Sequence, residues 1–406
     1  MFGYEQLYKL FLLVRDQRGR QGRHHILAEV LFVTFVAVLA GANDAEDVVR
    51  YVAEHRAWFQ RVISLPGGIP AHDTVLRVLA MVDGDEIERI LRTWVEAMRA
   101  PGVITTKDWQ VAVDGKTLRG SLDKSSGLGG VHMVGAYMIE AGLTLGTIKV
   151  DDKSNEITAI PDLIRVLNLE GATVTIDAMG CQTAIASEIV DAGADYVLRA
   201  KGNQPTLERN IEATFTELLR RRRPGEAKIP VDRYKDVDKG HGRIEQRTCI
   251  LSRDLSYIEN ATAWKGLTGV AMVARETENV LSGKVSKEIA YFILSKADAT
   301  AKDIALKVRN HWGIESMHWT LDVTFGEDAH RIIDRAGAAN LARLRRLAQA
   351  MISHSAGEGM PMKGVRQFCG WNPDNLFRVM AGEIFSMPKK RRKLDPKRFK
   401  KPTKKK

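Results

Sequence analysis

The segment from residue 109 to residue 200 constrains the fold more than any other part of this chain of 406 residues. It holds five short stretches rich in β-branched and aromatic residues, the composition of strands. The first three follow one another closely, which predicts an antiparallel meander, whereas helical stretches at 156–169 and 181–193 separate the last two and predict crossover connections. The sequence therefore predicts an α/β layer with a mixed sheet. The strand stretches are 109–116, 131–140, 143–151, 172–178 and 194–200.

The pattern changes on either side of this segment, which divides the chain into five parts. Residues 1–102 read as short helices joined by tight turns, which suits a DNA-binding helical module and equally a generic helical bundle. The strands above fall in 103–203. Residues 204–300 contain a helix rich in Glu and Arg and three strand-like stretches, which we interpret as an inserted β-rich subdomain. Residues 301–387 return to helical patterns, and 388–406 form a basic tail.

An apolar run at 26–42 raises the question of a membrane segment. It has 17 residues, contains Glu29 and falls just short of a spanning helix. We predict a buried helix and no membrane segment. The three cysteines lie far apart without metal-ligand spacing, which argues against structural zinc and fits a reducing compartment, so we expect a cytoplasmic protein.

Two helix starts carry capping patterns. Asn43 with Glu46 has the spacing of a capping box, which predicts a helix that begins after Asn43. In the stretch SNEITAIP, Ser154 or Asn155 is predicted to cap a helix whose first turn holds Glu156.

The net charge of +11 comes entirely from the tail. Residues 388–406 contain twelve Lys or Arg and one Asp, so the rest of the chain is formally neutral. Such a segment cannot bury enough apolar surface to fold, and we expect a solvated arm. A cationic arm attracts phosphate backbones by counterion release without reading sequence. A solubility or localisation tail is the alternative.

Two aspartates follow apolar strands and are the first candidates for chemistry. Asp114 follows VAV, Asp177 follows TVTI, and each is followed closely by a Gly. In a sheet of the predicted order the first and fourth strands lie side by side, so both carboxylates converge at one sheet end. A divalent cation removes their repulsion, and with a third carboxylate the site could hold two Mg²⁺ ions for phosphoryl transfer. The alternative is that each aspartate caps a helix or closes a turn.

The third carboxylate is predicted to be Glu315. A helix is predicted to run from about residue 302 through about Trp319, and Glu315 would share its inward face with Trp312 and Trp319. A salt bridge to a nearby Arg is the alternative. His311 and His318 flank Glu315 and could form a zinc site, although HExxH spacing is absent.

The order of motifs along the chain resembles the H-repeat-associated branch of bacterial insertion-sequence DDE transposases. The similarity covers roughly residues 20–380 and implies a ribonuclease-H-like fold with a preceding helical domain and a β-rich insertion. It also implies an acidic triad of Asp114, Asp177 and Glu315, with Mg²⁺ as cofactor and Mn²⁺ as substitute. In the wider class a Tyr and an Arg precede the Glu and a Lys follows it, where this chain has Val308, His311 and Asp322. The motifs are DGKTLRGS, DDKSNEITAIPDLI, TIDAMGCQ, YVLRAKGNQ, HGRIEQR and HWGIESMHWTLDVTFGED.

Polar residues in and around these motifs are candidates for DNA contacts. Lys116 and Arg119 could hold phosphate or simply form a surface turn. The residues at the end of the fifth strand could meet a phosphate, a sugar or a base edge. His241 and Arg243 could contact DNA or belong to a β-turn with a solvated charge pair. Three arginines of a late helix, at 343, 345 and 346, could line a DNA channel or be solvated. The candidates in the motifs are Lys116, Arg119, Lys201, Asn203, Gln204, His241, Arg243, His311 and His318.

The function that these features imply is a DNA transposase that cuts at terminal inverted repeats and joins 3′ ends to target DNA. Because two DNA ends must be held together, a homodimer on double-stranded DNA is expected. The alternative is a catalytically silent DNA-binding or regulatory protein derived from a transposase. A glycosidase with paired carboxylates is disfavoured because it would not need a cationic arm.

Overall fold

One mixed sheet of nine strands organises the described part of the chain. The structure is a computed structural model that describes residues 3–19, 21, 23–99, 108–123, 125, 127–152, 154–220, 231–240 and 242–386. The strand order across the sheet is β3-β2-β1-β4-β5-β9-β8-β7-β6. The strands are β1 (Gln110–Leu118), β2 (Val131–Met138), β3 (Leu143–Lys149), β4 (Thr173–Ile176), β5 (Asp195–Ala200), β6 (Asp232–Gly240), β7 (Arg243–Ser252), β8 (Gly269–Asn279) and β9 (Val285–Leu294).

The first five strands have the predicted topology. β1 pairs antiparallel with β2, and β2 pairs antiparallel with β3, which confirms the meander. β1 then pairs parallel with β4, and β4 pairs parallel with β5, which confirms the crossovers. The predicted mixed α/β fold is therefore confirmed.

The strands of the region 204–300 extend this sheet and do not form a separate one. β5 pairs antiparallel with β9, and β9, β8, β7 and β6 continue to the edge. The sequence predicted β7, β8 and β9 but not β6. Its sequence, DRYKDVDKG, is mostly charged and exposed and has no apolar alternation, so only backbone pairing with β7 marks it as a strand.

Helices cover the sheet and form the region before it. The segment between β3 and β4 and the segment between β4 and β5 each contain one helix, as predicted. The helices are α1 (Tyr4–Leu12), α2 (Leu27–Ala40), α3 (Ala45–Glu54), α4 (Arg56–Phe59), α5 (His72–Met81), α6 (Gly84–Met98), α7 (Glu156–Arg165), α8 (Thr183–Asp191), α9 (Pro205–Arg220), α10 (Ala301–Asn310), α11 (Gly313–Val323), α12 (Arg335–Ser355), α13 (Met362–Trp371) and α14 (Asp374–Met380).

The apolar run forms α2, a helix whose every residue is buried, as predicted. Within the described residues, no single helix is long and apolar enough to span a membrane. By length and composition alone, α2 and α3 taken together would be long and apolar enough, but the two helices are bent by 92° relative to each other.

The helix caps agree with the sequence in one case and differ in the other. Asn155 caps α7 by accepting from the N–H of Ile157 at 3.0 Å, as predicted. The cap of α3 is Asp44 and not Asn43, because the Asp44 carboxylate accepts from the N–H of Asp47 at 2.8 Å. The prediction of Asn43 was wrong by one residue.

The long helix α12 joins the N-terminal helices to the sheet. It packs against α2, α5 and α6 on one side and against β3 on the other. Asn340 donates to the carbonyls of Leu79 (2.8 Å) and Val82 (2.7 Å), which fixes α12 to the end of α5. Glu88 of α6 accepts from the N–H of Thr147 in β3 at 2.9 Å. Buried polar contacts therefore hold these layers in register.

Three arginines of α12 are buried, so both predicted roles for them, channel lining and solvation, were wrong. Arg346 forms an ion pair with Glu327 (Nη1 to Oε1, 2.6 Å), and Arg343 pairs with Glu88 (Nε to Oε1, 3.3 Å). Arg345 donates to the carbonyl of Asn43 at 2.5 Å. Their partners lie far away along the chain, which the local sequence does not reveal.

Two sequence predictions lie outside the described residues. These are the solvated basic arm at 388–406 and the DNA contact at His241. The boundaries of the five predicted parts also stay predictions.

Candidate functional site

Asp114 and Asp177 lie next to each other on adjacent parallel strands. Val113 of β1 is in register with Ile176 of β4, and each aspartate is the next residue. The predicted convergence of the two strands is therefore confirmed. The prediction that Asp114 ends its strand was wrong. β1 continues to Leu118 through pairing with β2 alone.

Asp177 also shapes the turn that follows it. Its Oδ1 accepts from the N–H of Met179 at 3.0 Å and caps the 3-10 turn Ala178–Gly180. The alternative raised from the sequence, a capping aspartate, is thus present. The capping bond involves one carboxylate oxygen, and the Asp177 side chain remains exposed beside the pocket described next.

Glu315 reaches the same place from α11. The predicted continuous helix is wrong, because α10 ends at Asn310 and α11 begins at Gly313. The buried face of α11 consists of Ile314, Met317, Thr320 and Leu321, so the prediction of an inward-facing Glu315 was also wrong. Glu315 is exposed and lines a pocket of 270 Å³.

The three carboxylates of Asp114, Asp177 and Glu315 all line this pocket. One comes from the middle of β1, one from the end of β4 and one from the first turn of α11. Beside Glu315, the guanidinium of Arg275 lies 4.7 Å from the ring centroid of Trp312, whose side chain is 48% exposed. The pocket therefore combines clustered acids with an open, partly aromatic wall.

The electrostatics at Asp114 are those of crowded carboxylates. Burial raises the pKa of Asp114 to about 7, against a hydrogen bond from the backbone of Gly115 that lowers it. The charges of Glu156, Asp177 and Glu315 raise the pKa further. A like-charged group resists ionisation unless a cation offsets the repulsion.

A fourth acid, Glu156, lies near the site. The sequence predicted it only as part of the first turn of a capped helix. Its Oε1 lies 2.7 Å from Nε2 of His132, whose Nδ1 lies 2.8 Å from Oγ1 of Thr117. A Cβ at Gly115 would lie 2.1 Å from the Glu156 oxygen, so glycine permits this approach. The topology contained the signal, since β3 and β1 end at the same sheet edge and α7 starts there.

His311 and His318 are both partly buried, and His311 lines the pocket, so the DNA contacts predicted for them stay predictions. Nδ1 of His311 lies 3.0 Å from Oγ1 of Thr175, and burial lowers the pKa of His311. Nδ1 of His318 lies 3.6 Å from Oδ2 of Asp114. Burial, aided by nearby cationic groups, lowers the pKa of His318 to about 3, so the ring is neutral. These contacts hold α11 against β4 and β1.

Lys116 is also buried, which contradicts its predicted place in an exposed turn. Its side chain is 8% exposed, and Nζ lies 2.8 Å from Oδ1 of Asp322. Because its ammonium group is engaged inside the protein, Lys116 is not available to a DNA phosphate in this structure. Arg119 differs, since its side chain is 84% exposed beside Asp328 and remains a candidate contact.

Asn203 and Gln204 brace the turn that carries Asp177. Asn203 Nδ2 donates to the carbonyl of Ala178 at 2.6 Å, and Gln204 Nε2 donates to the carbonyl of Cys181 at 3.0 Å. Their amide groups are therefore used within the protein. Lys201 and Arg243 are exposed and remain candidates for DNA contacts.

Comparison with known proteins identifies the family. The model described as "DDE_Tnp_1-associated" matches residues 8–95, and the model described as "Transposase DDE domain" matches residues 105–351, more than half of the chain. The chain belongs to the DDE transposase family. The DDE domain is ribonuclease-H-like, so the predicted fold class is confirmed.

The relatives of this DDE transposase include members of the branch that the motifs resemble. The chain is 35% identical over 388 residues to "H repeat-associated putative transposase YhhI" of Escherichia coli (strain K12), covering 94% of this chain and 99% of that one. It is 36% identical over 348 residues to "Putative transposase YncI" of Escherichia coli O157:H7, covering 85% and 86%. The predicted branch is confirmed. A solved structure, "Cryo-EM structure of piggyBac transposase synaptic complex with hairpin DNA (SNHP)", aligns with TM-score 0.37 and 9% identity over 100% of this chain and 79% of that one.

DDE transposase domains use divalent metal ions, and the donor chemistry of this site suits them. Carboxylate oxygens are the ligands that Mg²⁺ and Mn²⁺ prefer. The raised pKa of Asp114 indicates that positive charge would be stabilising there. Among the described residues, no group of three or more His, Cys, Asp or Glu side chains is arranged so that it could hold a metal ion. Side-chain rotation within the pocket would have to complete the coordination.

A test of these electrostatics is the pH dependence of stability without metal. The folded chain holds the Asp114 proton up to a pKa of about 7, whereas the unfolded chain releases it near 3.8. The folded state is therefore favoured below this window and loses stability as pH rises through it. In EDTA at pH 8 we expect Asp114→Asn to melt roughly 2–5 °C above the parent, with the difference vanishing near pH 4. If the melting temperatures of Asp114→Asn and the parent differ by the same amount at pH 4 and at pH 8, the raised pKa of Asp114 is contradicted.

The motif DGKTLRGS packs against the segment after α11, which predicts a strong effect of Gly120. A Cβ at Gly120 would lie 1.9 Å from the carbonyl oxygen of His330, so the two backbones would have to separate. We expect Gly120→Ala to lower the free energy of unfolding by about 2–3 kcal/mol in urea denaturation. The matched control is Gly135→Ala, whose Cβ would meet only Thr147 Cγ2 at 3.7 Å. Equal losses in both variants would refute this packing.

Proposed function

We propose that the protein is an active transposase that cuts DNA at the terminal inverted repeats of an insertion sequence. It then joins the freed 3′ ends to target DNA at the same site. The observation that carries the proposal is the convergence of Asp114, Asp177 and Glu315 on one pocket. Acids from three separate elements gather there, and Lys116, two residues beyond Asp114, is engaged by Asp322.

The three acids have different roles in this proposal. Asp114 would help to hold both ions, while Asp177 and Glu315 would each help to hold one. Bound Mg²⁺, or Mn²⁺ in its place, would supply Lewis-acid stabilisation of the phosphoryl transition state and lower the pKa of the attacking hydroxyl. The capped turn keeps Asp177 at the sheet edge, and the His311 contact with Thr175 keeps the start of α11 beside it.

Exposed cations supply candidate contacts to the DNA backbone. Arg119, Lys201 and Arg243 are exposed and suit sequence-independent binding of phosphate. Within the pocket, Arg199 and Arg275 share the single carboxylate of Glu288, so this part of the wall keeps a net positive charge. A homodimer that holds two double-stranded ends together completes the proposal, acting at the nucleoid in the cytoplasm.

The test is a cleavage and joining assay with the full chain and labelled terminal-repeat DNA. We expect these repeats to be short inverted sequences that flank the coding DNA. We expect nicking and strand joining in Mg²⁺ or Mn²⁺, and neither in EDTA. Specific binding without cleavage under every metal condition would overturn the proposal and favour the silent DNA-binding alternative.

A further inference from the structure

A buried cation lies two residues beyond Asp114 on the same strand. Residues two apart on a strand point to the same face, so Lys116 faces the side on which Asp114 meets α11. Lys116 Nζ lies 2.8 Å from Asp322, 3.4 Å from Asp328 and 3.8 Å from Glu327. Glu327 is already bound by Arg346 at 2.6 Å. The charge of Lys116 is therefore directed mainly to Asp322 and Asp328.

The helix that carries Glu315 presents its polar groups to β1 at helical spacing. Glu315, His318 and Asp322 are three and four residues apart, which places them along one face of α11. His318 meets Asp114 at 3.6 Å, and one turn further on Asp322 meets Lys116. Two polar contacts, His318 with Asp114 and Asp322 with Lys116, thus join α11 to β1. Glu315 lies on the same face of α11, one turn before His318, and lines the pocket.

These contacts control the relative position of two acids of the site. Removing the Lys116 charge would leave Asp322 and Asp328 facing each other in a partly buried place, where like charges repel strongly. The helix would move to separate them, and Glu315 would move with it. Misplacement of a reacting group by about 1 Å can slow a reaction by about 100-fold.

We propose that Lys116 is a positioning residue that sets the spacing of Glu315 from Asp114 by holding α11 against β1. This inference rests on the proposed function and deepens it. It replaces the phosphate contact first predicted for Lys116, and the two roles differ in what they do to DNA binding.

The first test separates binding from chemistry. For Lys116→Met we expect single-turnover nicking to fall by about 30-fold to 100-fold, with DNA affinity in EDTA unchanged within about twofold. Asp322→Asn should slow nicking less, because Lys116 keeps Asp328. The double variant should be no slower than Lys116→Met alone, because the two side chains act through one contact. The matched control, Lys265→Met, removes a surface partner of Asp191 and should nick like the parent.

Three results would overturn the inference. The first is a loss of DNA affinity in Lys116→Met with an unchanged rate per bound complex, which would restore the phosphate contact. The second is a double variant whose losses multiply. The third is an unchanged nicking rate in Lys116→Met.

A second readout needs no cleavage and guards against misfolding. Hydrogen exchange of the amides in 313–323 should quicken at least about fivefold in Lys116→Met and to a smaller degree in Asp322→Asn, while α12 keeps its protection. Asp177→Asn should leave these amides unchanged. If the parent cleaves no DNA, the proposed function fails, yet the exchange result still decides whether Lys116 holds α11. Unchanged exchange in both variants would refute the positioning role.

Discussion

Asp177→Asn is expected to nick terminal-repeat DNA at least about 1000-fold more slowly than the parent. A carboxylate that holds a metal ion contributes several kcal/mol of transition-state stabilisation, and each 1.4 kcal/mol corresponds to a tenfold change in rate. Asparagine keeps an oxygen that can accept from the N–H of Met179, so the turn Ala178–Gly180 should persist. The variant therefore removes charge with little change in shape, and DNA binding in EDTA should stay within about twofold.

The control for this variant is Asp191→Asn. Asp191 ends α8, the helix that follows the Asp177 turn, and pairs with Lys265 on the surface. It shares residue type and neighbourhood with Asp177 but lies away from the pocket. We expect it to nick at the parental rate. If Asp177→Asn also nicks at that rate, Asp177 does not belong to the catalytic site.

The sequence predicted the sheet well because local periodicity and loop length determine it. Three strands with short loops and two strands after helices leave few topologies, and the observed register brings Asp114 and Asp177 together. β6 was missed because its sequence is mostly charged and its apolar residues do not alternate. An edge strand of this kind owes its structure to backbone pairing, which composition does not record.

The orientation of charged groups was predicted less well than the strands. Glu315 was expected inside a helix face bounded by tryptophans, yet Trp312 and Trp319 are themselves exposed. Lys116 and Arg346 were expected outside and are buried against Asp322 and Glu327. Whether a charge is buried depends on partners that only the folded chain brings near, so periodicity alone cannot decide it.

These errors bear on how the site works. The acids first proposed for catalysis line the pocket, while Lys116 and three arginines of α12, first proposed for DNA, are buried inside the protein. Asn203 and Gln204 likewise hold the turn beside Asp177. In the proposed function, attraction to DNA would then come from other cations, and the largest group of cations in the sequence is at 388–406.

Removal of residues 388–406 is expected to weaken binding to all DNA sequences by about 100-fold at low salt. The segment carries the whole net charge of +11, and the remaining chain is formally neutral. Each phosphate contact contributes about 0.9 to the slope of log K against log salt on duplex DNA. If at least about three of the twelve cations engage phosphate, truncation should reduce that slope by about 3 or more.

The measurement is a salt titration of binding to terminal-repeat and unrelated DNA, with and without the tail. The ratio of the two affinities should stay nearly constant, because counterion release does not read sequence. A chain whose tail is replaced by an uncharged Gly/Ser segment of equal length is the matched control and should behave like the truncated chain. An unchanged slope on truncation would assign the tail to solubility or localisation and require the exposed Arg119, Lys201 and Arg243 to supply the attraction. A changed affinity ratio would show that the tail reads sequence.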